Sequence, residues 1–184
     1  MAFLSSGFML LLMVVCLLFH SSSAAAVTTH MHISYKLVDA ICQETENPEF
    51  CKTTLKNYPN TRKADMHELG AITILLANAQ ARFNKYAVDQ LLHGEKDDVT
   101  KNDLSNCLSD YTVTLGKLEG AYRLSNNKDY KGMTKLVNDA MKMTKKCEYR
   151  FEKSPSRPFP LGDNQQKMVW LNDIALVTLD LLDD

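Results

Sequence analysis

The sequence predicts an all-α fold: an up-down-up-down four-helix bundle, preceded by an N-terminal helical hairpin and held by two disulfides. Three observations carry that prediction. Glycine and proline are scarce, 7 and 5 among 184 residues, too few for the closely spaced turns of a sandwich or barrel. Apolar residues recur at alternating steps of three and four along four long stretches, the pattern of a helix with one buried face. Four cysteines, Cys42, Cys51, Cys107 and Cys147, fall within or beside the helical segments. A 45% hydrophobic and 23% charged composition excludes a disordered chain. A formal charge of −1 leaves no basic excess to neutralise a phosphate backbone, which argues against nucleic acid as a partner.

The first segment stands apart from the bundle. Phe8 to Phe19 is almost wholly apolar, residues 1–29 contain no Lys, Arg, Asp or Glu, and a small-residue run follows from Ser21 to Ala26. This reads as a secretory signal peptide over residues 1–26, because the apolar run is shorter than the roughly 20 residues of a membrane span. Residues 27–184 then form a single domain with its core over about 34–182. The expected product is secreted, with no membrane association after cleavage. Cys16 leaves with the signal. The four remaining cysteines, an even number in an exported chain, imply two bridges out of three pairings.

The elements follow in order. Ser34 to Cys42 carries Tyr35, Leu37, Val38 and Ile41 at helical spacing. Asn47-Pro48 offers an N-cap and a first-turn proline for a second helix over about Pro48 to Asn57, ended by Pro59. Cys42 and Cys51 flank the turn between the two and suit a local staple. Asn60-Thr61 is the expected cap of the first long helix, whose seam is Leu69, Ile72, Leu76, Ala79, Phe83 and Tyr86, running to about Leu92 with Gly94 as its stop. The second long helix starts near Thr100 and repeats Leu104, Leu108, Tyr111, Leu115, Leu118 and Tyr122. After the turn Ser125-Asn126-Asn127, the third repeats Tyr130, Met133, Val137, Ala140, Thr144, Cys147 and Phe151. If these two helices are antiparallel neighbours, as the short turn favours, Cys107 and Cys147 face one another. Pro155, Pro158 and Pro160 mark a linker without helix, and Asp163 or Asn164 caps a last helix carrying Met168, Leu171, Ile174, Ala175 and Thr178.

Sites for chemistry are sparse. The chain has no Gly-rich phosphate loop, no His-Glu-x-x-His and no Gly-x-Ser-x-Gly, so neither catalysis nor a metal or cofactor is expected. The cysteines lack zinc spacing. Lys142, Lys145 and Lys146 read as the wet face of a helix, with a contact for an acidic partner as the functional alternative. Trp170 reads as an anchor between the last helix and the bundle. These features describe an exported helical bundle suited to binding.

The cysteine frame resembles the plant invertase and pectin methylesterase inhibitor family. The carrying residues are Cys42-Gln-Glu-Thr-Glu-Asn-Pro48-Glu-Phe-Cys51, Leu104-Ser-Asn-Cys107-Leu-Ser-Asp-Tyr111 and Cys147-Glu148-Tyr149-Arg150-Phe151, with Ser154-Pro155 before the last helix. The resemblance covers about Ser34 to Leu182. It implies bridges Cys42–Cys51 and Cys107–Cys147. It also implies an apoplastic, non-enzymatic inhibitor of a cell-wall or vacuolar invertase, or alternatively of pectin methylesterase. Invertase inhibitors of this family often place Pro-Lys-Phe at the turn between the second and third bundle helices and insert it into the enzyme. Here that turn reads Asn127-Lys128-Asp129-Tyr130, without the proline. Lys128, Asp129 and Tyr130 are the expected partner contacts; the plainer reading is a helix start with Tyr130 as its first core residue. For pectin methylesterase, contact would instead spread along the helix faces, with Lys117, Glu119, Lys135 and Lys142 among the candidates. A non-inhibitory secreted bundle and a small-ligand carrier are the remaining readings.

Overall fold

The computed structural model describes residues 34–153 and 157–183. The expected signal peptide, His30, His32 and Asp184 lie outside the described residues, as do Ser154 and Pro155. Helix α1 covers 34–43 and α2 covers Pro48–Asn57. A 3-10 turn over Pro59–Lys63 leads to four long helices: α3 (Met66–Gly94), α4 (Asp98–Ser125), α5 (Tyr130–Glu152) and α6 (Asp163–Asp183). Each long helix packs against the next, and α6 closes the ring against α3. This is the up-down-up-down bundle behind a helical hairpin that the sequence predicts.

Local chemistry explains the helix starts. The Asn47 side chain accepts from the Phe50 N–H, with Pro48 in the first turn. The cap of α3 is Asp65, not Asn60-Thr61. Its carboxylate accepts from the Glu68 N–H at 2.8 Å, and the Glu68 carboxylate accepts from the Asp65 N–H at 2.9 Å. That reciprocal pair satisfies two otherwise free donors and outcompetes the earlier site, where Pro59 and its neighbours form the 3-10 turn instead. Helix α4 begins two residues before Thr100, because Asp97 accepts from the Thr100 N–H. The Thr100 backbone and hydroxyl hold the Asp97 carboxyl below its usual range.

The core follows the predicted register in α5. Met133, Val137, Ala140, Thr144, Cys147 and Phe151 are all buried. In α3 the register departs from expectation halfway along. Leu69 and Ile72 are buried, but Phe83 and Tyr86 are 52% and 63% exposed. Their places inside are taken by Ala77, Ala81, Asn84 and Val88. Asn84 explains the choice. Its Nδ2 donates to the Tyr111 hydroxyl at 3.1 Å and to the Asn164 carbonyl at 3.2 Å. Tyr111 in turn donates to Gln165 Oε1 at 2.6 Å, and Gln165 Nε2 donates to the Thr144 carbonyl at 3.3 Å. One buried chain of hydrogen bonds thus joins all four long helices. Small residues beside Asn84 let the helices approach closely enough to make it.

Two disulfides complete the frame. Cys42–Cys51 pins α1 to α2, with Cα atoms 5.4 Å apart, and Cys107–Cys147 ties α4 to α5 at 4.8 Å. The hairpin is held to the bundle by Phe50 packed on Trp170, ring centres 5.0 Å apart, and by Asp173, which accepts from the Glu46 N–H at 2.8 Å. Burial raises the Asp173 carboxyl above its usual range. Among the described residues, no helix is long and apolar enough to cross a membrane.

Candidate functional site

The α4–α5 turn is built from opposed helix-end devices. At the end of α4, the Lys128 N–H donates to the Ser125 carbonyl at 3.0 Å and the Asp129 N–H to the Leu124 carbonyl at 3.4 Å. This paired closure requires a left-handed residue between the two bonds, a place usually filled by glycine. Lys128 occupies it, with φ 54°. A side chain in that region carries backbone strain on the order of 1 kcal/mol.

The start of α5 clamps the other side. Asp129 caps the helix, its carboxylate accepting from the Gly132 N–H at 2.9 Å. Gly132 leaves room for this cap, because a Cβ there would press on the Asp129 carboxylate and lie 2.7 Å from Leu124 Cδ1, so both side chains would have to shift. Tyr130 is half-buried and its hydroxyl lies 3.3 Å from His67 Nδ1, on the first turn of α3. The two rings meet edge-on at 6.0 Å.

The three predicted contact residues therefore sit together but differ in character. Lys128 is exposed at the tip of the bundle and Asp129 is exposed while capping α5. Tyr130 turns back against α3 and the core. Neither the left-handed Lys128 nor His67 as the partner of Tyr130 was legible in the sequence. The Asp129-x-x-Gly132 spacing was the available clue to the clamp.

A hollow of about 610 Å³ opens at the same end of the bundle, lined in part by Pro59, Arg62, Lys63, Leu75 and Tyr122. Arg62 and Lys63 are exposed there. The nearby Asp65 and Glu68 carboxylates are committed to the α3 cap, as Asp129 is to the α5 cap. Among the described residues, Lys128 has no ion-pair partner at this end, whereas Lys131 reaches Asp183 at 4.0 Å.

The other candidates separate by environment. The cysteines are fully buried bridges. Lys117 and Lys142 share Asp139 at 3.3 and 3.7 Å, which holds the Asp139 carboxyl below its usual range, chiefly through the Lys117 hydrogen bond. Glu119 pairs with Arg82 at 2.6 Å. Lys135, Lys142, Lys145 and Lys146 are exposed. Among the described residues no group of three His, Cys, Asp or Glu side chains is placed to hold a metal.

Comparison with known proteins places this architecture. The description "Plant invertase/pectin methylesterase inhibitor" matches residues 36–180. A "Pectinesterase inhibitor" of Actinidia deliciosa is 28% identical over 146 residues, 79% of each chain. A "Putative invertase inhibitor" of Platanus orientalis is 24% identical over 156 residues, 82% of this chain and 92% of that one. The crystal structure of a mutant form of a pectin methylesterase inhibitor from Arabidopsis superposes with a TM-score of 0.66 at 26% identity, covering 77% of this chain and 93% of that one. The cysteine-stapled bundle, its helical hairpin and the match along most of its length agree: the chain belongs to the plant invertase/pectin methylesterase inhibitor family.

Proposed function

We propose that this protein is a secreted inhibitor of an invertase, with Lys128 as the contact group and Asp129 and Tyr130 as the groups that position it. Members of the family are enzyme inhibitors. The observation that carries the choice of target is the Lys128 turn. It presents one exposed ammonium in a strained, left-handed conformation fixed by hydrogen bonds on both sides. Strain of this kind persists where surrounding structure over-determines it, and it concentrates at functional positions. A glycosidase cleft carries paired carboxylates, and a rigid cation loses little freedom on entering one. The absence of proline and of a free aromatic in the turn puts the weight on the ammonium. The signal peptide proposed for residues 1–26 supports delivery to the cell wall.

A second reading, pectin methylesterase as target, is favoured by a different observation. The relatives named as pectinesterase inhibitors reach 28% identity against 24% for those named for invertase. Contact would then spread over the helix faces.

Paired assays of the mature chain against cell-wall invertase and pectin methylesterase decide between the two. Invertase inhibition by the wild type, lost in Lys128→Glu at unchanged melting temperature, is the expected result. Inhibition of pectin methylesterase alone, unaffected by Lys128→Glu, would transfer the function to the second reading. Loss of inhibition in Lys128→Glu should reach about tenfold or more, the scale of a desolvated charge contact.

A further inference from the structure

One face of α5 is left unexplained by inhibition through the turn. The helix carries six basic residues against three acidic ones, in a chain whose formal charge is −1. The surplus is not spread around the helix. Lys131, Lys135, Lys142 and Lys146 recur at steps of four, seven and four, which places them along one side of a 3.6-residue helix. Lys145 flanks the same stripe, and Lys153 lies one helical repeat beyond Lys146. From Lys131 to Lys153 the row is about 33 Å long at 1.5 Å per residue.

The carboxylates of α5 lie to either side of this row. Asp139 bridges Lys117 of α4 at 3.3 Å and Lys142 of the row at 3.7 Å, and Glu148 accepts from Gln165 Nε2 at 3.3 Å. Among the described residues, Lys135 and Lys145 have no ion-pair partner, while Lys131 and Lys142 reach Asp183 and Asp139 at 4.0 and 3.7 Å with ammonium groups that remain largely exposed. Lys146 approaches the buried Asp110 at 3.4 Å, but Arg150 holds that carboxylate more closely, at 3.0 Å. Near its end the row meets Tyr149, 56% exposed, with the Lys153 ammonium 4.7 Å above its ring. A shallow hollow of about 470 Å³ opens there, lined by Lys142, Lys145, Lys146 and Tyr149 together with Glu148 and Glu152.

We propose that this lysine row binds a linear polycarboxylate, the acidic polysaccharide produced when the methyl esters of a polyuronate are hydrolysed. A straight row of separate positive charges complements a polymer carrying one carboxylate per sugar. Lysine dominates the row, and its ammonium is a rotatable point charge suited to carboxylates of variable register; planar, bidentate recognition of phosphate favours arginine. An exposed tyrosine ring supplies a flat apolar face for a pyranose ring. The choice of polymer rests on the proposed placement of this inhibitor in the cell wall, beside the esters that one of the family's named target enzymes cleaves. The binding itself does not depend on which enzyme is inhibited.

The test is direct binding of the mature chain to polygalacturonate at low and high salt. Fully methyl-esterified polygalacturonate and single-stranded DNA serve as parallel probes. The variant combines Lys131→Gln, Lys135→Gln, Lys142→Gln and Lys145→Gln, since glutamine keeps helix propensity at exposed positions. Circular dichroism and melting temperature verify its fold, and a separate Tyr149→Ala variant tests the aromatic contact with all lysines in place. Polygalacturonate should bind, weaken with salt, ignore the ester and lose about tenfold or more in affinity in the fourfold variant. No binding by the wild type at low salt overturns the proposal, as does equal binding by a folded fourfold variant. Tighter binding to DNA overturns the carboxylate assignment. Loss of enzyme inhibition in the variant, with no polymer bound by the wild type, gives the row to the enzyme and overturns the proposal too. The turn reading is judged separately, by Lys128→Glu in the enzyme assays.

Discussion

Toward one end of the α4–α5 pair, Cys107–Cys147, the Asp110–Arg150 ion pair and the Tyr111 hydrogen-bond chain join the helices through buried groups. At the other, four residues of exposed turn join them, with a lysine where glycine is favoured. The first region is redundant: covalent, ionic and hydrogen-bonded links all oppose separation of the helices. The second has one clamp, Asp129 with Gly132, and one tether, Tyr130 with His67. The difference teaches that strain at the tip can be held because the helices are registered elsewhere.

The largest effect expected from breaking this contrast comes from the covalent link. Replacing Cys107 and Cys147 together by serine opens a loop of separation 40, a loss of about 4 kcal/mol on chain-entropy grounds, whereas Cys42 and Cys51, separation 9, should cost about 2–3 kcal/mol. Denaturant unfolding of the two double variants measures the order; a larger loss for Cys42 and Cys51 would show that the hairpin, not the α4–α5 link, limits stability.

A smaller loss follows from Tyr111→Phe. It leaves Gln165 Oε1 without its donor and breaks the junction between α4 and α6, which should cost about 1–2 kcal/mol. Burial raises the Tyr111 phenol above its ordinary value. Its contribution is therefore complete below the unfolded value of about 10 and is lost as pH rises beyond it. The wild type should lose stability above about pH 10 more steeply than the phenylalanine variant does; parallel alkaline unfolding curves would remove Tyr111 from that role.

The smallest effects belong to the tip, and there stability and binding should part company. Asp129→Ala removes the α5 cap and should destabilise by about 1 kcal/mol. Lys128→Gly relieves the left-handed strain and should stabilise by a few tenths to about 1 kcal/mol, while weakening inhibition as Lys128→Glu does. A glycine variant that inhibits as the wild type does would show the turn to be only a helix connection.

Legibility in the sequence followed the same division. Helix α5 was readable almost residue by residue, because Met133, Val137, Ala140, Thr144, Cys147 and Phe151 form a single apolar face with charge opposite. The start of α2 was readable from Asn47-Pro48, a local device needing no tertiary partner. Periodicity misled in α3, where Phe83 and Tyr86 keep heptad spacing yet face outward. Hydrophobicity favours burying them, but close helix packing and the Asn84–Tyr111–Gln165 chain select the face with alanine and asparagine.

The sequence by itself therefore determined the helical class, the number of long helices and most of their ends, since caps, prolines and apolar repeats act within a few residues. The cysteine and motif pattern pointed to the family. Tertiary structure alone decided which face of α3 is inside and that Tyr130 turns back onto His67. Those outcomes depend on groups 63 residues apart in the case of Tyr130 and His67. They arise from competition between surfaces that meet only when the helices pack.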